Sequence, residues 1–415
     1  MRLLSHPIFN YHHHAYLKLL IYRICIVLAY QIMAVAVGWH VYQITHDPLS
    51  LGLIGLVEVI PYFACALFAG YAVDHHCSRR FFGAMAAMLL GASALTLTAI
   101  ALGLLGNNTN GTTTVWIYCA FAFSGLGRAF ISPSYSALFA IILPRTEYAR
   151  ASGIGSSIFQ AGLVLGPALG GLLVGFASKA TAYGISIMLC IGAVVAILSI
   201  KIQEPPPIAS TPVFTSIAEG LRFVFSHQIL LAAISLDMFA VLFGGAVSML
   251  PAFIQDIYKL GPESLGMLRA APAVGAAMTG VWLTRRPINL YAGRWLLCAV
   301  AAFGLCIIGF GLATSVWLAG FLLVLSGVFD GVSVVLRQTI MQLATPDNMR
   351  GRVSAITGIF IGSSNELGAF ESGVAARLLG LVPSVVFGGL ITLGVVGLTT
   401  KLAPKLRALE LNQLH

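Results

Sequence analysis

Ten ionisable residues lie in stretches of this chain that are otherwise apolar for about twenty residues at a time: His40, Glu58, Arg128, Asp237, Arg269, Asp330, Arg337, Glu366, Glu371 and Arg377. A carboxylate in such surroundings favours its neutral form and can take up and release a proton near neutral pH. An arginine there offers a planar fork that suits a carboxylate. The stretch "GSSNELGAFESGV" (Gly362 to Val374) holds two of the acids, Glu366 and Glu371. Five residues apart, they lie about 140° apart on a helix, so one can face a cavity and the other a neighbouring helix. Two roles are open to them: carrying a proton, or neutralising Arg128, Arg269 or Arg377. Asp330 and Arg337 are seven apart and nearly in line on one helix face. They serve a substrate or proton role or belong to a structural ion pair between two halves of the chain. Asp237 has no basic residue near it in sequence, which favours a functional role.

The elements that position these groups follow from composition. Of 415 residues 58% are hydrophobic and 9% charged, a balance that excludes a soluble domain and makes this an integral membrane protein. Apolar runs long enough to cross a bilayer recur twelve times. They fall near residues 18–44, 50–73, 81–106, 115–143, 152–177, 180–200, 229–255, 262–284, 293–314, 316–343, 353–380 and 382–400. The first is too long for a signal peptide and lacks a small-residue cleavage site, so it is expected to be a retained span. The third, sixth, ninth and twelfth have no Asp, Glu, Lys, Arg or His in their interior, Arg294 lying at the very start of the ninth, which marks them as the lipid-facing spans.

The formal net charge of +9 is not gathered in one patch, which argues against a nucleic-acid partner. With the N-terminus cytoplasmic, 17 of the 23 Lys and Arg fall on inner loops and helix ends, the asymmetry that places both termini in the cytoplasm. Seven cysteines, odd in number and nearly all within spans or on the cytoplasmic side, imply no disulfide framework. Asn107-Asn108-Thr109 and Asn110-Gly111-Thr112 read as a polar outer loop, and His12, His13 and His14 as a solvated interfacial segment instead of a metal site.

Two six-span halves are predicted, residues 1–200 and 229–415, joined by a Pro-rich linker with an interfacial helix at 201–228 whose Ile217, Leu221, Val224 and Phe225 share one side. The halves repeat at an offset of 202 residues: Arg150 matches Arg352, Gly166 matches Gly368, Gly171 matches Gly373 and Gly125 matches Gly327. Arg128 is thereby the twin of Asp330, with opposite sign, and Glu366 and Glu371 replace Val164 and Leu169. Repeated six-span halves are the organisation of a rocking transporter.

Two motifs carry a resemblance. In the fifth span Gly153, Gly162, Gly166, Pro167, Gly170 and Gly171 give G-x8-G-x3-GP-x2-GG, small residues that let helix backbones approach closely. The loop "GYAVDHHCSRR" carries Gly70, Asp74, Arg79 and Arg80, with Ser78 where a glycine is usual. The first resembles the antiporter motif, and the second the gating-loop motif, of the major facilitator superfamily. "LRQTIMQLATPDNMRGRVSAITG" is most similar to its branch of enterobactin exporters and macrolide-efflux proteins. The resemblance implies an all-α fold of twelve transmembrane helices in two pseudo-symmetric six-helix bundles, with the first, fourth, seventh and tenth spans around a central cavity.

It also implies a monomeric, multi-pass protein of the bacterial inner membrane that exports a siderophore-like metabolite or drug in exchange for protons, the alternative being import by proton symport. Asp237, Glu366, Glu371, Asp330, Arg337, Arg128, Glu58 and His40 are its candidate substrate and proton residues. Asp74 would cap a neighbouring helix and pair with arginine to hold a cytoplasmic gate; the second-half copy has Thr284 in its place. No P-loop, G-x-S-x-G or H-E-x-x-H motif is present, so neither an ATPase nor an intramembrane enzyme is supported, and no cofactor or metal is expected.

Overall fold

The computed structural model describes residues 7–75, 78–106, 110–204, 213–285, 290–346 and 349–410. Among these residues there are helices and turns and no strand. The chain forms two compact units, Met1–Thr45 with Val57–Ser210, and His46–Leu56 with Thr211–His415.

The first unit is built from α1 (Pro7–Thr45), α2 (Pro48–His75), α3 (Arg79–Ala101), α4 (Asn110–Ile142), α5 (Tyr148–Phe176) and α6 (Lys179–Leu198). α1 packs against α4, α5 and α6, and α3 against α4 and α6. With neighbours on several sides α1 has little free surface, and Leu19, Tyr22, Ala29, Met33 and Val37 are fully buried along it.

The second unit contains α7 (Val213–Ser226), α8 (Gln228–Phe243), α9 (Leu250–Ala252), α10 (Pro262–Arg285), α11 (Ala292–Leu312), α12 (Val316–Ala344), α13 (Arg350–Leu379), α14 (Leu381–Leu402) and α15 (Pro404–Arg407). α8 packs on α13 and α14, α10 on α12, and α11 on both α12 and α14. The first turns of α2 belong with this unit, where a side chain on Gly52 would press into the backbone of Ala369 and Gly373.

Helices occupy all twelve expected spans, and ten of them are long and apolar enough to cross a membrane. The other two, α10 and α13, have 24 and 30 residues. Arg269 on α10, and Glu366, Glu371 and Arg377 on α13, reduce their apolarity without shortening them. α3, α6, α11 and α14, whose charges are confined to their ends, expose Met88, Leu95, Ile191, Val195, Leu305 and Leu390, as lipid-facing helices should.

The seventh span is not one helix, as 229–255 was read. α8 ends at Gly244, a 3-10 turn follows at Gly245–Met249, then α9, then a π-helical turn at Phe253–Tyr258. Gly244 and Gly245 sit at this break, where Phe303 and the Gly368 backbone leave no room for a side chain, and Pro251 adds no backbone donor. The interfacial helix also needs one correction. Val224 of α7 is buried with Leu230, Ile234, Met341 and Val353, and Phe223 packs on that cluster, whereas Phe225 is exposed. The segment 205–212 lies outside the described residues.

The repeat has a packing basis. A side chain on Gly125 of α4 would collide with the Glu58 carbonyl of α2, and one on Gly327 of α12 would collide with the Pro272 carbonyl of α10. The twinned glycines thus bring equivalent helix pairs into backbone contact, each beside an in-helix proline, Pro61 or Pro272. Gly327→Ala is expected to cost about 1–3 kcal/mol by overpacking and to lower the melting temperature in detergent by several degrees. Gly153→Ala, where nothing lies within 4 Å of the added carbon, is expected to leave it unchanged.

Candidate functional site

In the first unit three residues converge from α1, α2 and α4. Glu58 Oε1 accepts from the Arg128 guanidinium at 2.5 Å, and Glu58 Oε2 accepts from the Tyr30 hydroxyl at 3.0 Å. Arg128 also donates to the Tyr30 oxygen at 2.9 Å. Its guanidinium lies 4.5 Å from the Tyr30 ring centroid and 5.6 Å from that of Tyr62, within cation–π range. Local sequence sets this up: Gly125 draws the α2 backbone against α4, and Arg128 follows on the next turn. The pair is asymmetric. The Glu58 side chain is 2% exposed and that of Arg128 26%, so the acid is sealed while the fork can be reached.

The second unit holds a more deeply buried pair. Asp237 of α8 and Arg337 of α12 form an ion pair at 4% and 3% exposure. Asp237 Oδ2 and Arg337 Nε have no hydrogen-bond partner. Asp330 lies on α12 two turns before Arg337 and is half-buried. Asp237 had no basic neighbour in sequence, but its partner lies a hundred residues further along the chain. Arg337, which shares a helix face with Asp330, is engaged by Asp237.

On α13, Glu371 is half-buried beside the buried Ser372, and Glu366 is half-buried with its carbonyl close to Gly55. Arg128 takes Glu58, and Arg377 lies 3.4 Å from Asp47. His40 is apart from the first cluster, ten residues or about 15 Å along α1 from Tyr30. It is buried, with Nδ1 3.3 Å from the Tyr183 hydroxyl of α6.

Three glycines of the fifth span, Gly162, Gly166 and Gly170, face α1, where added side chains would meet Val27, Gln31 and Ile32. Their close partner is therefore the first span. Gly153 and Gly70 have open space around them. In the loop motif the Asp74 side chain lies outside the described residues, and so do the side chains of His12 and His13.

The grip on that loop comes from a residue sequence reasoning missed. Glu204, at the start of the linker, accepts from the Arg79 backbone N–H at 2.5 Å and from Arg80 Nε at 2.6 Å. Arg80 also donates to the Ile200 carbonyl at 2.6 Å. A carboxylate at the first turn of α3 satisfies an orphan donor and complements the helix dipole. The signal was present as a lone acid before three prolines in a stretch read as spacer.

Comparisons with known proteins agree with these features. A family model described as Major Facilitator Superfamily matches residues 19–369. Among curated proteins, the multidrug efflux pump Tap of Mycolicibacterium fortuitum is 25% identical over 397 residues, covering 92% of this chain and 93% of the pump. The enterobactin exporter EntS of Escherichia coli O1:K1 / APEC is 27% identical over 266 residues, covering 62% of this chain and 64% of the exporter. Among solved structures, a bacterial homologue of the human lysosomal transporter Spinster, inward-facing and unoccupied, superposes with a TM-score of 0.72 at 14% identity over 97% of this chain and 99% of that one. A D-xylose-proton symporter also gives 0.72 at 14% identity, over 95% and 99%. At these identities the structures share the fold.

Asp237→Asn leaves a buried guanidinium unpaired, which costs roughly 3–5 kcal/mol. Its melting temperature in detergent is expected to fall well below that of Glu58→Gln, because Arg128 is partly exposed and keeps the Tyr30 oxygen and two aromatic rings. The double variant Asp237→Asn/Arg337→Gln should recover much of the loss; no recovery would mean the two side chains act separately.

Proposed function

The chain belongs to the Major Facilitator Superfamily, and on that premise we propose that it exports a small, acid-bearing organic molecule in exchange for protons. It is a multi-pass membrane transporter with efflux-pump and exporter relatives. Proton coupling, direction and substrate class belong to the proposal. The observation that carries it is the Asp237–Arg337 pair with Asp330 two turns away. Asp237 takes the Arg337 guanidinium, which leaves Asp330 without that counter-charge and makes it the place for a transported proton.

Arg128 supports the substrate class. Its reachable fork, backed by buried Glu58, can exchange part of that bond for a substrate carboxylate without leaving either charge stranded. Siderophores and related acids fit this chemistry, and the exporter relative is named for one. The glycine face of α5 on α1 supports movement of these two helices as a block. Glu366 and Glu371 remain second candidates for the proton step, and His40 for a supporting role.

In this reading both termini are cytoplasmic, the membrane is a bacterial inner membrane, and the working unit is a monomer of two bundles, 1–200 and 229–415. Arg79, Arg80 and Glu204 then close the inner end of the first bundle, with Asp74 their neighbour in sequence.

Purified protein in liposomes, with a trapped pH dye and an imposed pH gradient, tests the proposal against polycarboxylate and catecholate siderophores, macrolides and cationic dyes. Proton movement is expected with the acidic substrates, outward transport being read from the gradient direction that drives it. Asp330→Asn is expected to keep substrate binding and lose proton movement; Arg128→Gln is expected to lose binding of the acidic substrates. If ligands bind and no variant or substrate moves protons, the coupling reading fails. If Glu371→Gln alone abolishes coupling, the proton site moves to α13.

A further inference from the structure

A groove of about 560 Å³ opens in the second unit between α10 and α11, with α12 as its floor. Met278 and Trp282 line one wall, and Trp295, Cys298 and Ala302 the other. These positions recur at spacings of three and four, so each helix presents one continuous face. The volume falls within the range of small-molecule sites, roughly 300–1,000 Å³. From Trp295 to Ala302 it runs about 10 Å along α11, most of the ~15 Å half-thickness of a bilayer core.

The lining accepts only apolar matter. The one hydroxyl, Thr279, already donates to the Val328 carbonyl at 2.9 Å and has the Gly275 carbonyl at 3.2 Å. One end of the groove is different. Trp282 and Trp295 stand exposed at the ends of α10 and α11 that adjoin one connection, next to the exposed Arg285 and Arg294. The Arg294 guanidinium lies 5.1 Å from the Tyr291 ring centroid. Tryptophan and tyrosine with arginine beyond them is the pattern of a membrane–water boundary, where rings sit at headgroup depth and cations meet phosphate.

We propose that this groove is a specific site for an anionic phospholipid, one acyl chain lying between α10 and α11 and the headgroup phosphate against Arg285 and Arg294. The charge at one end and the apolar length behind it match the two parts of that molecule. The assignment stands independently of the substrate and of proton coupling.

Delipidated full-length protein, titrated with phosphatidylglycerol or phosphatidylcholine of the same acyl chains and examined by native mass spectrometry, tests it. Retention of phosphatidylglycerol over phosphatidylcholine is expected, with a preference on the order of tenfold for two cations. Arg285→Gln/Arg294→Gln, on the surface, should bring the two lipids level, and Ala302→Trp, which fills the groove, should lose both. The exposed Cys298 thiol gives a local readout: phosphatidylglycerol should slow its alkylation by N-ethylmaleimide, followed at the peptide level. The proposal is overturned if the arginine double variant keeps the preference, if Cys298 alkylates at the same rate with and without lipid, or if a cationic dye protects Cys298 and phosphatidylglycerol does not.

Discussion

Counter-charge is the constraint on which the rest of this structure depends. In an apolar interior an uncompensated charge costs several kcal/mol, so each buried charge has to be met by a partner from another helix or lie where it can be neutralised. Glu58 and Arg128 tie α2 to α4, and Asp237 and Arg337 tie α8 to α12, while Asp47 and the exposed Arg377 join the start of α2 to the end of α13 at the surface. Every one of these pairs joins elements distant in sequence. The polar groups that can do chemistry are therefore also the ones that fix which helices are neighbours.

Close backbone approach makes the pairing geometrically possible. An aspartate or glutamate side chain is short, and it reaches an arginine on another helix only if the two axes are near. Gly125 supplies that nearness for the first pair, and its twin Gly327 does the same between α10 and α12. On α5, the glycines facing α1 remove side-chain bulk along a whole face, so the two helices meet over length instead of at one point. Small residues and charged residues are thus parts of one arrangement: the first set the distance at which the second can act.

Much of the fold was legible because hydrophobic length and the 202-residue repeat are linear properties of the sequence. The lipid-facing helices were legible for the same reason, since a span with no charge needs no partner. The site was only half legible. Asp237, Arg337, Glu58 and Arg128 stand out in an apolar background, but partner choice is a three-dimensional fact, and the helical register of Asp330 and Arg337 gave no hint that Asp237 takes Arg337. Tyr30 was missed because a tyrosine in a span carries no charge to attract notice. Glu204 was missed because the prolines after it read as a connection. Phe225 was assigned to the wrong side of α7 because a hundred-degree step separates it from Val224, and only the packed cluster shows which of them is inside.

The interruption of the seventh span gives the ion pair of the second unit a mechanical setting. Asp237 lies in the regular part of α8, whereas the turns from Gly245 to Tyr258 change hydrogen-bonding pattern three times within fourteen residues. A continuous helix is a stiff lever, transmitting a tilt at one end to every side chain along it. This span is better viewed as a short lever and a separate plate, joined at Gly244 and Gly245, where Phe303 and Gly368 respectively leave no room for a side chain. The regular hydrogen-bond ladder that holds Asp237 against Arg337 therefore ends at Gly244, and a tilt of the segment beyond it has no continuous helix to carry it back to the pair.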